Sequence, residues 1–256
     1  FSVGDTVSAK DGGSFAGNLA MAGDLTVDTS TLKVDSTNNR VGVGTGSPSR
    51  TFQVDSADNR VAKVHHTDGD YSFIVFEDDN TSDDGQVRVG AYGNDLQLFA
   101  GGSARILADS TGAVTMPNQP AFLAQPTSQQ ANIGEGSEID IAFGTERFDQ
   151  NGDFASSVFT APVTGKYFLS YSLWISNIDS VPSYFETYLT TSNRQYLHTF
   201  DPRGLAQDAG SRTINNALVA DMDAGDTAKI QILIQSSGTV QSDVENYSFF
   251  SGYLVA

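Results

Sequence analysis

Residues 159–170 of the chain read FTAPVTGKYFLS, a sequence that predicts a turn leading into a long β-strand. Pro162 lacks an amide hydrogen for a β-ladder and Gly165 accepts a positive φ at low cost, so we expect the turn between them. From the turn onward, alternate positions are apolar: Tyr167, Leu169, Tyr171, Leu173 and Ile175. A period of two is that of a strand with one buried face. We therefore predict that a central strand begins here.

Further motifs flank this stretch in a fixed order. Upstream lie PAFLA at 120–124 and FD at 148–149, the latter followed by Gly152. Downstream lie AGD at 224–226, then Ile230, Ile232 and Ile234, and finally FFSGYL at 249–254. The set resembles the jelly-roll head shared by complement-1q globular domains and the tumour-necrosis-factor superfamily. The resemblance implies an antiparallel jelly-roll sandwich over residues 119–256 that assembles as a homotrimer. Residues 177–208 match no pattern of that family, so no binding residue of a relative is transferred to them.

The composition favours an all-β protein. The 256 residues include 25 Gly and many Asp, Ser, Thr and Asn, which suit short strands and turns. No segment approaches the roughly 18 consecutive apolar residues that a membrane-spanning helix needs, so we predict no membrane insertion. The chain has no Cys, which excludes disulfides and thiolate chemistry.

The charge is strongly negative, with 14 basic and 31 acidic side chains and a net charge of −17. Such a surface repels phosphate backbones, so we predict no nucleic-acid partner. A trimer would carry three times this charge, −51, which hinders self-association unless salt or divalent cations screen it.

Residues 1–64 predict a repetitive β shaft. Their short apolar pairs are too sparse for a core, and VDSTNNRV at 34–41 recurs as VDSADNRV at 54–61. The run NRVGVGTGSP at 39–48, followed by TFQV at 51–54, resembles the shaft repeats of bacteriophage tail fibres. In that family three chains wrap around one another, which leaves no exposed strand edge. The resemblance therefore implies an interwoven trimeric shaft.

Residues 65–118 predict a small β meander, or collar, with a hinge into the head. Five apolar segments are separated by Gly, Asn or Asp turns: 71–76, 86–92, 96–99, 104–107 and 113–116. DSTGAV at 109–114 resembles the hairpin that ends many phage fibre shafts. Pro117 and Pro120 restrict the backbone of the hinge.

Two groups of residues are candidate metal ligands. His65 and His66 are adjacent, close to Asp68 and Asp70, and one His from each chain of a trimer would suit an ion on the trimer axis. Asp149, Asn151 and Asp153 offer oxygen ligands at alternate positions, which suit calcium. The alternative for both groups is a role in solvated turns.

Aromatic residues mixed with short polar side chains make the middle of the head the candidate receptor-binding region. Rings stack on sugars, and Ser, Thr and Asn donate hydrogen bonds to them. The alternative is that these rings belong to the core or to a trimer interface, and that the arginines pair with Asp201 and Asp208. The candidate residues are Trp174, Tyr184, Tyr188, Arg194, Tyr196, His198 and Arg203.

The sequence as a whole predicts a homotrimeric, non-enzymatic fibre protein at the surface of a bacteriophage particle. It shows no nucleophile motif such as G-x-S-x-G. Partners are expected to be other copies of the chain, a host-surface glycan or protein, and other virion proteins through a missing N-terminal part, since the chain does not begin with Met. The alternatives are a purely structural capsid or tail spike whose head only caps the trimer, and a bacterial adhesin.

Overall fold

The structure is a computed structural model that describes residues 22–236 and 239–256. The first 21 residues of the predicted shaft lie outside the described residues. Apart from one 3₁₀ turn, Pro202–Gly204, all regular secondary structure described is β-strand, which confirms the all-β class. None of the described segments forms a helix with the length and apolarity needed to cross a membrane. The chain divides between Asp68 and Gly69 into two compact units.

The first unit contains a sheet of four short strands, in the order β1-β2-β3-β4. Its strands are β1 (Leu25–Val27), β2 (Leu32–Asp35), β3 (Arg40–Val43) and β4 (Phe52–Val54). The first three are antiparallel, and β4 runs parallel to β3. These strands pair within one chain yet leave Val27, Val43 and Phe52 exposed. The interwoven shaft stays a prediction, because it concerns several chains.

The two copies of the internal repeat fold differently. In the first copy, the Asp35 carboxylate accepts hydrogen bonds from the amides of Thr37 and Asn38, both at 3.1 Å, and closes the β2–β3 hairpin. In the second copy, Asp55 instead accepts hydrogen bonds from Gln53 Nε2 at 2.9 and 3.0 Å. No strand forms after β4 until residue 71. The two copies are therefore similar in sequence but differ in conformation.

The second unit begins with the predicted meander. Five antiparallel strands follow one another in sheet order: β5 (Tyr71–Val75), β6 (Arg88–Tyr92), β7 (Asp95–Ala100), β8 (Ser103–Ala108) and β9 (Val114–Thr115). Each apolar segment of the sequence corresponds to one strand. The meander is therefore confirmed as a sheet.

The head contains a seven-stranded sheet centred on the predicted strand, which spans Gly165–Ile178 as β16. β16 pairs with β19 on one side and with both β22 and β21 on the other. The seven strands are β10 (Ala121–Gln125), β11 (Gln130–Gly134), β13 (Thr145–Asp149), β16, β19 (Ala209–Met222), β21 (Gln241–Val244) and β22 (Phe249–Leu254).

A six-stranded sheet forms the second layer of the head. Its long strands β17 and β20 pair over eight residues. The six strands are β12 (Ile139–Asp140), β14 (Phe154–Ala155), β15 (Val158–Thr160), β17 (Tyr184–Thr191), β18 (Gln195–Phe200) and β20 (Thr227–Gln235).

The core lies between these two layers. All five apolar residues that define the period in β16 are fully buried. Phe122 packs against Phe154, Phe159 and Phe250, with ring centroids 4.8 to 4.9 Å apart. The Tyr171 hydroxyl crosses the core to the Thr187 hydroxyl at 2.7 Å. The strand predicted from residues 159–170 is therefore confirmed as the centre of the sandwich, and Gly165 is its first residue, without the positive φ expected for the turn.

Candidate functional site

An apolar patch covers part of the outward face of the seven-stranded sheet. Phe168 of β16 lies opposite Val219 of β19 on one side and Tyr253 of β22 on the other. The Phe168 and Tyr253 rings are 5.2 Å apart. Phe148 of β13 lies on the same face, in the next line of paired residues across the sheet. We call Phe148, Phe168, Val219 and Tyr253 the head patch; Val219 is 54% exposed and Tyr253 49%.

Trp174 lies on the same face, six residues along β16 from Phe168. Its indole packs against the Tyr247 ring at 5.4 Å. Its backbone amide donates to the Ser248 hydroxyl at 2.9 Å. Tyr247, which is 71% exposed, was not among the predicted binding residues; it lies in the turn before β22, two residues from Phe249. The fold therefore gives Trp174 a partner outside the predicted receptor-binding segment.

Three of the predicted binding residues lie together at one end of the six-stranded sheet. The Tyr184 phenol is close enough to both Tyr188 and Arg203 to interact electrostatically with them. Burial raises the pKa of Tyr188, and the Glu186 carboxylate, to which its hydroxyl donates at 2.6 Å, raises this pKa further. Tyr188 is therefore a neutral hydrogen-bonding group at any physiological pH.

Arg203 is held by its neighbour Asp201. Its Nε and Nη2 atoms donate to the two carboxylate oxygens at 3.0 and 2.8 Å. These bonds, with one from the Arg203 amide, hold the pKa of Asp201 at about 2. The guanidinium is thus fixed in one orientation, although the pair is exposed to solvent.

The other predicted residues are separated from this cluster. Tyr196 lies opposite Leu189 and packs against the core, on the sheet face opposite Tyr188. His198 shares the face of Tyr196 and is exposed. Arg194 lies in the β17–β18 turn and forms an ion pair with Asp221 at 3.0 Å. The predicted group is therefore at least three separate surfaces.

The candidate calcium ligands have structural roles in the β13–β14 loop. The Asp149 carboxylate accepts hydrogen bonds from the amides of Asp153 at 3.0 Å and Phe154 at 2.9 Å. Asn151 Nδ2 donates to the carbonyl of Asn118 at 2.9 Å. One carboxylate oxygen of Asp153 is buried without a hydrogen-bond partner, and burial raises the pKa of Asp153.

The histidine pair lies in an exposed stretch without strand structure, so the alternation of a strand does not separate the two rings. Among residues 22–236 and 239–256, no three His, Asp or Glu side chains are placed to hold a metal ion. Calcium and an ion shared between chains therefore stay predictions.

Residues 121–255 match the family model of the C1q domain, which is more than half of the chain. The chain belongs to the C1q domain family. Its C1q domain begins at the first residue of β10 and ends just after β22, so it contains the head patch and the cluster of Tyr184, Tyr188 and Arg203. Domains of this family form trimeric jelly-roll heads in binding and structural proteins, and they are generally non-enzymatic.

Solved structures similar to the chain include the globular domain of zebrafish complement 1qA, at 16% identity and a TM-score of 0.42, covering 54% of this chain and 98% of that one. Murine APRIL is similar at 9% identity and a TM-score of 0.39, covering 54% of this chain and all of that one. None of the curated protein sequences matches the chain.

Proposed function

We propose that the chain is a homotrimeric structural fibre protein of a bacteriophage particle, a tail fibre or similar appendage at the virion surface. Its C1q domain is the trimeric head and binds a glycan or protein on the host surface. The run NRVGVGTGSP at 39–48 supports the fibre part of the proposal, and the C1q domain at 121–255 supports the head part. The observation that best supports assembly into a trimer is an exposed aliphatic face on the five-stranded collar sheet.

This face, which we call the collar patch, is formed by alternate residues of four strands. Ile74 of β5, Leu98 of β7 and Ile106 of β8 belong to one row across the sheet, and Leu96 and Val114 to the next. All five side chains are 38% to 66% exposed in the single chain. Soluble monomers rarely expose such a continuous apolar surface.

We expect the collar patch to be buried against the collars of other copies of the chain. Because C1q domains form homotrimers, the heads bring three collars together. Covering half of a large aliphatic side chain contributes about 1 kcal/mol, so the five residues contribute about 5 kcal/mol per chain. The head patch is apolar and exposed in the same way, so head and collar each offer an assembly surface.

Light scattering at physiological salt tests the assembly. The expected mass is three times 27.2 kDa, about 82 kDa. Leu98→Lys places a charge in the collar patch and is expected to weaken the trimer. Leu197→Lys changes an exposed leucine of β18, outside both patches, and serves as the control. A wild-type monomer at micromolar concentration would overturn the proposed architecture.

Adsorption of phage particles to host cells tests the receptor role. Particles whose fibre lacks residues 119–256 are expected to assemble and to fail to adsorb. The double variant Tyr184→Ala, Arg203→Ala tests the cluster formed by Tyr184 of β17 and Arg203 of the 3₁₀ turn while leaving the core in place. Normal adsorption of the double variant alone would place the receptor site elsewhere in the head. Normal adsorption of the truncated particles would make the head a purely structural cap.

A further inference from the structure

The face of the collar sheet opposite the collar patch contains an aromatic groove with one cation. We call it the collar groove; it has a volume of about 390 Å³ and is lined by Tyr71, Phe73, Arg88, Tyr92, Gln97 and Phe99. Small-molecule sites in proteins typically measure about 300–1,000 Å³ and combine rings with a few polar groups. The collar groove thus has the size and composition of a ligand site, and the proposed function does not use it.

The backbone register explains why these side chains meet. Tyr71 lies opposite Tyr92, and Arg88 lies opposite Phe99, in neighbouring strands of the same face. Between these rows, Gly90 lies opposite both Phe73 and Gln97. A Cβ added at Gly90 would lie 2.0 Å from the Ser72 carbonyl oxygen and 2.8 Å from Phe73 Cδ1, so the absence of a side chain there lets the Phe73 ring pack directly over the backbone of β6.

The guanidinium of Arg88 packs against two aromatic rings. Its Cζ atom lies 4.1 Å from the Phe99 ring centroid and 4.9 Å from that of Phe73. Its Nε atom is buried and has no hydrogen-bond partner among the described residues. A guanidinium stacked in this way keeps its planar donors oriented for an oxyanion.

The hydrogen-bond partners of Asp83 and Asp95 lie elsewhere: bonds from Gln86 and Gly85 lower the pKa of Asp83, and the charge of Arg88 lowers it further. Asp83 accepts hydrogen bonds from the Gly85 amide at 2.7 Å and from Gln86 Nε2 at 2.8 Å. Asp95, opposite Tyr92, accepts one from the Ser110 amide at 2.9 Å. Within the described part of the chain, neither lies within ion-pairing distance of Arg88. Arg88 is therefore a cation without an ion-pair partner in a chain of net charge −17.

We propose that the collar groove binds a saccharide that carries a carboxylate. The sugar ring stacks on the exposed tyrosines, which are 54% and 49% exposed, while Gln97 and the Tyr92 phenol bond to its hydroxyls. The carboxylate meets the Arg88 guanidinium in a charge-assisted, bidentate contact. Access to the groove in the assembly rests on the proposed trimer, in which the collar patch on the opposite face is the buried side.

Saturation-transfer NMR on the full-length protein tests the proposal with defined probes. A tetrasaccharide of galacturonic acid and sialyllactose supply carboxylates from two sources, and lactose is the neutral comparison. At least one carboxylated probe is expected to bind with a Kd of about 1 mM or tighter, and lactose at least about tenfold more weakly. The probe that binds identifies the source. Absence of binding by both carboxylated probes would overturn the proposal.

Variants separate the site from the fold. Arg88→Gln is expected to weaken carboxylate binding by about tenfold or more, and the matched change Arg105→Gln, outside the groove, is expected to leave it unchanged. Tyr92→Thr removes one exposed ring while keeping a strand-forming residue, so it tests stacking should Arg88→Gln disturb the sheet. Equal binding by wild type and both groove variants would refute the site. Light scattering on the same samples separates this result from the proposed function, because a trimer that does not bind refutes only the groove.

Discussion

Replacing Tyr253 by Ala is expected to dissociate the trimer without unfolding the head. Tyr253 is 49% exposed on the head patch, in contact with the Phe168 ring of its own chain. A tyrosine buries about 200 Å² when fully covered, so the exposed half amounts to about 100 Å² and about 2.5 kcal/mol at 25 cal/mol per Å². Three copies lose about 7 kcal/mol, or about five orders of magnitude in the trimer association constant.

The assay is sedimentation equilibrium over a range of protein concentrations. The protein concentration at which half of the chains are trimeric scales as the square root of the trimer dissociation constant. This midpoint concentration is therefore expected to rise by between two and three orders of magnitude, on the order of several hundredfold. Leu197→Ala is the matched control, since Leu197 is 51% exposed on the other sheet. An unchanged midpoint for Tyr253→Ala, or an equal shift for the control, would refute the assignment of the head patch to the trimer interface.

Three further predictions concern packing, titration and charge. Gly252→Ala is expected to cost about 1–3 kcal/mol in urea unfolding, since an added Cβ would lie 2.6 Å from Leu169 Cδ2 and 2.9 Å from the Phe122 ring. Gly134→Ala, where the Cβ meets nothing within 4 Å, is the control, and equal costs would contradict the argument. The side-chain carboxyl carbon of Asp201, followed by NMR, is expected to titrate with a pKa of about 2, and this pKa is expected to return toward 3.8 in Arg203→Gln. The small stabilisation that the ion pair contributes is thus present above pH 3.8 and is lost as the pH falls through 2. Raising salt from about 10 to 150 mM is expected to strengthen the trimer, because it shortens the screening length from about 30 to 8 Å between chains of net charge −17; weaker association would contradict this.

The strands with a strict period of two were predictable from the sequence. β16 has five alternate buried positions and no competing pattern, so its buried face follows directly from the residues. The sequence did not indicate β19, which pairs with β16 from Gly165 to Ile178. Residues 209–216 of β19 read AGSRTINN, which carries little apolar alternation, because most of these side chains face solvent or lie beyond the core. Tertiary pairing, and not local pattern, makes this segment a strand.

The candidate binding site was predicted less well, because closeness in sequence is not closeness in space for a β-sandwich. Tyr188 and Tyr196 are eight residues apart, on neighbouring strands, yet they lie on opposite faces of the sheet. Trp174 belongs to the other layer, where its partner Tyr247 comes from a turn more than 70 residues away. Only the register of the strands decides which rings share a surface, and register follows from pairing over the whole domain.

The collar shows why register also decides function. In β5, Tyr71, Phe73 and Val75 alternate with Ser72 and Ile74, so both sets contain large apolar residues and the sequence YSFIV leaves open which face is covered. Pairing with β6 and β7 assigns aliphatic residues to one face and rings with Arg88 to the other. Burial of aliphatic side chains is favourable because it removes them from water, whereas a guanidinium stacked on rings still has N–H groups that can donate hydrogen bonds at an accessible surface. The two faces therefore suit different partners: other copies of the chain on the aliphatic side, and a carboxylated ligand on the aromatic side.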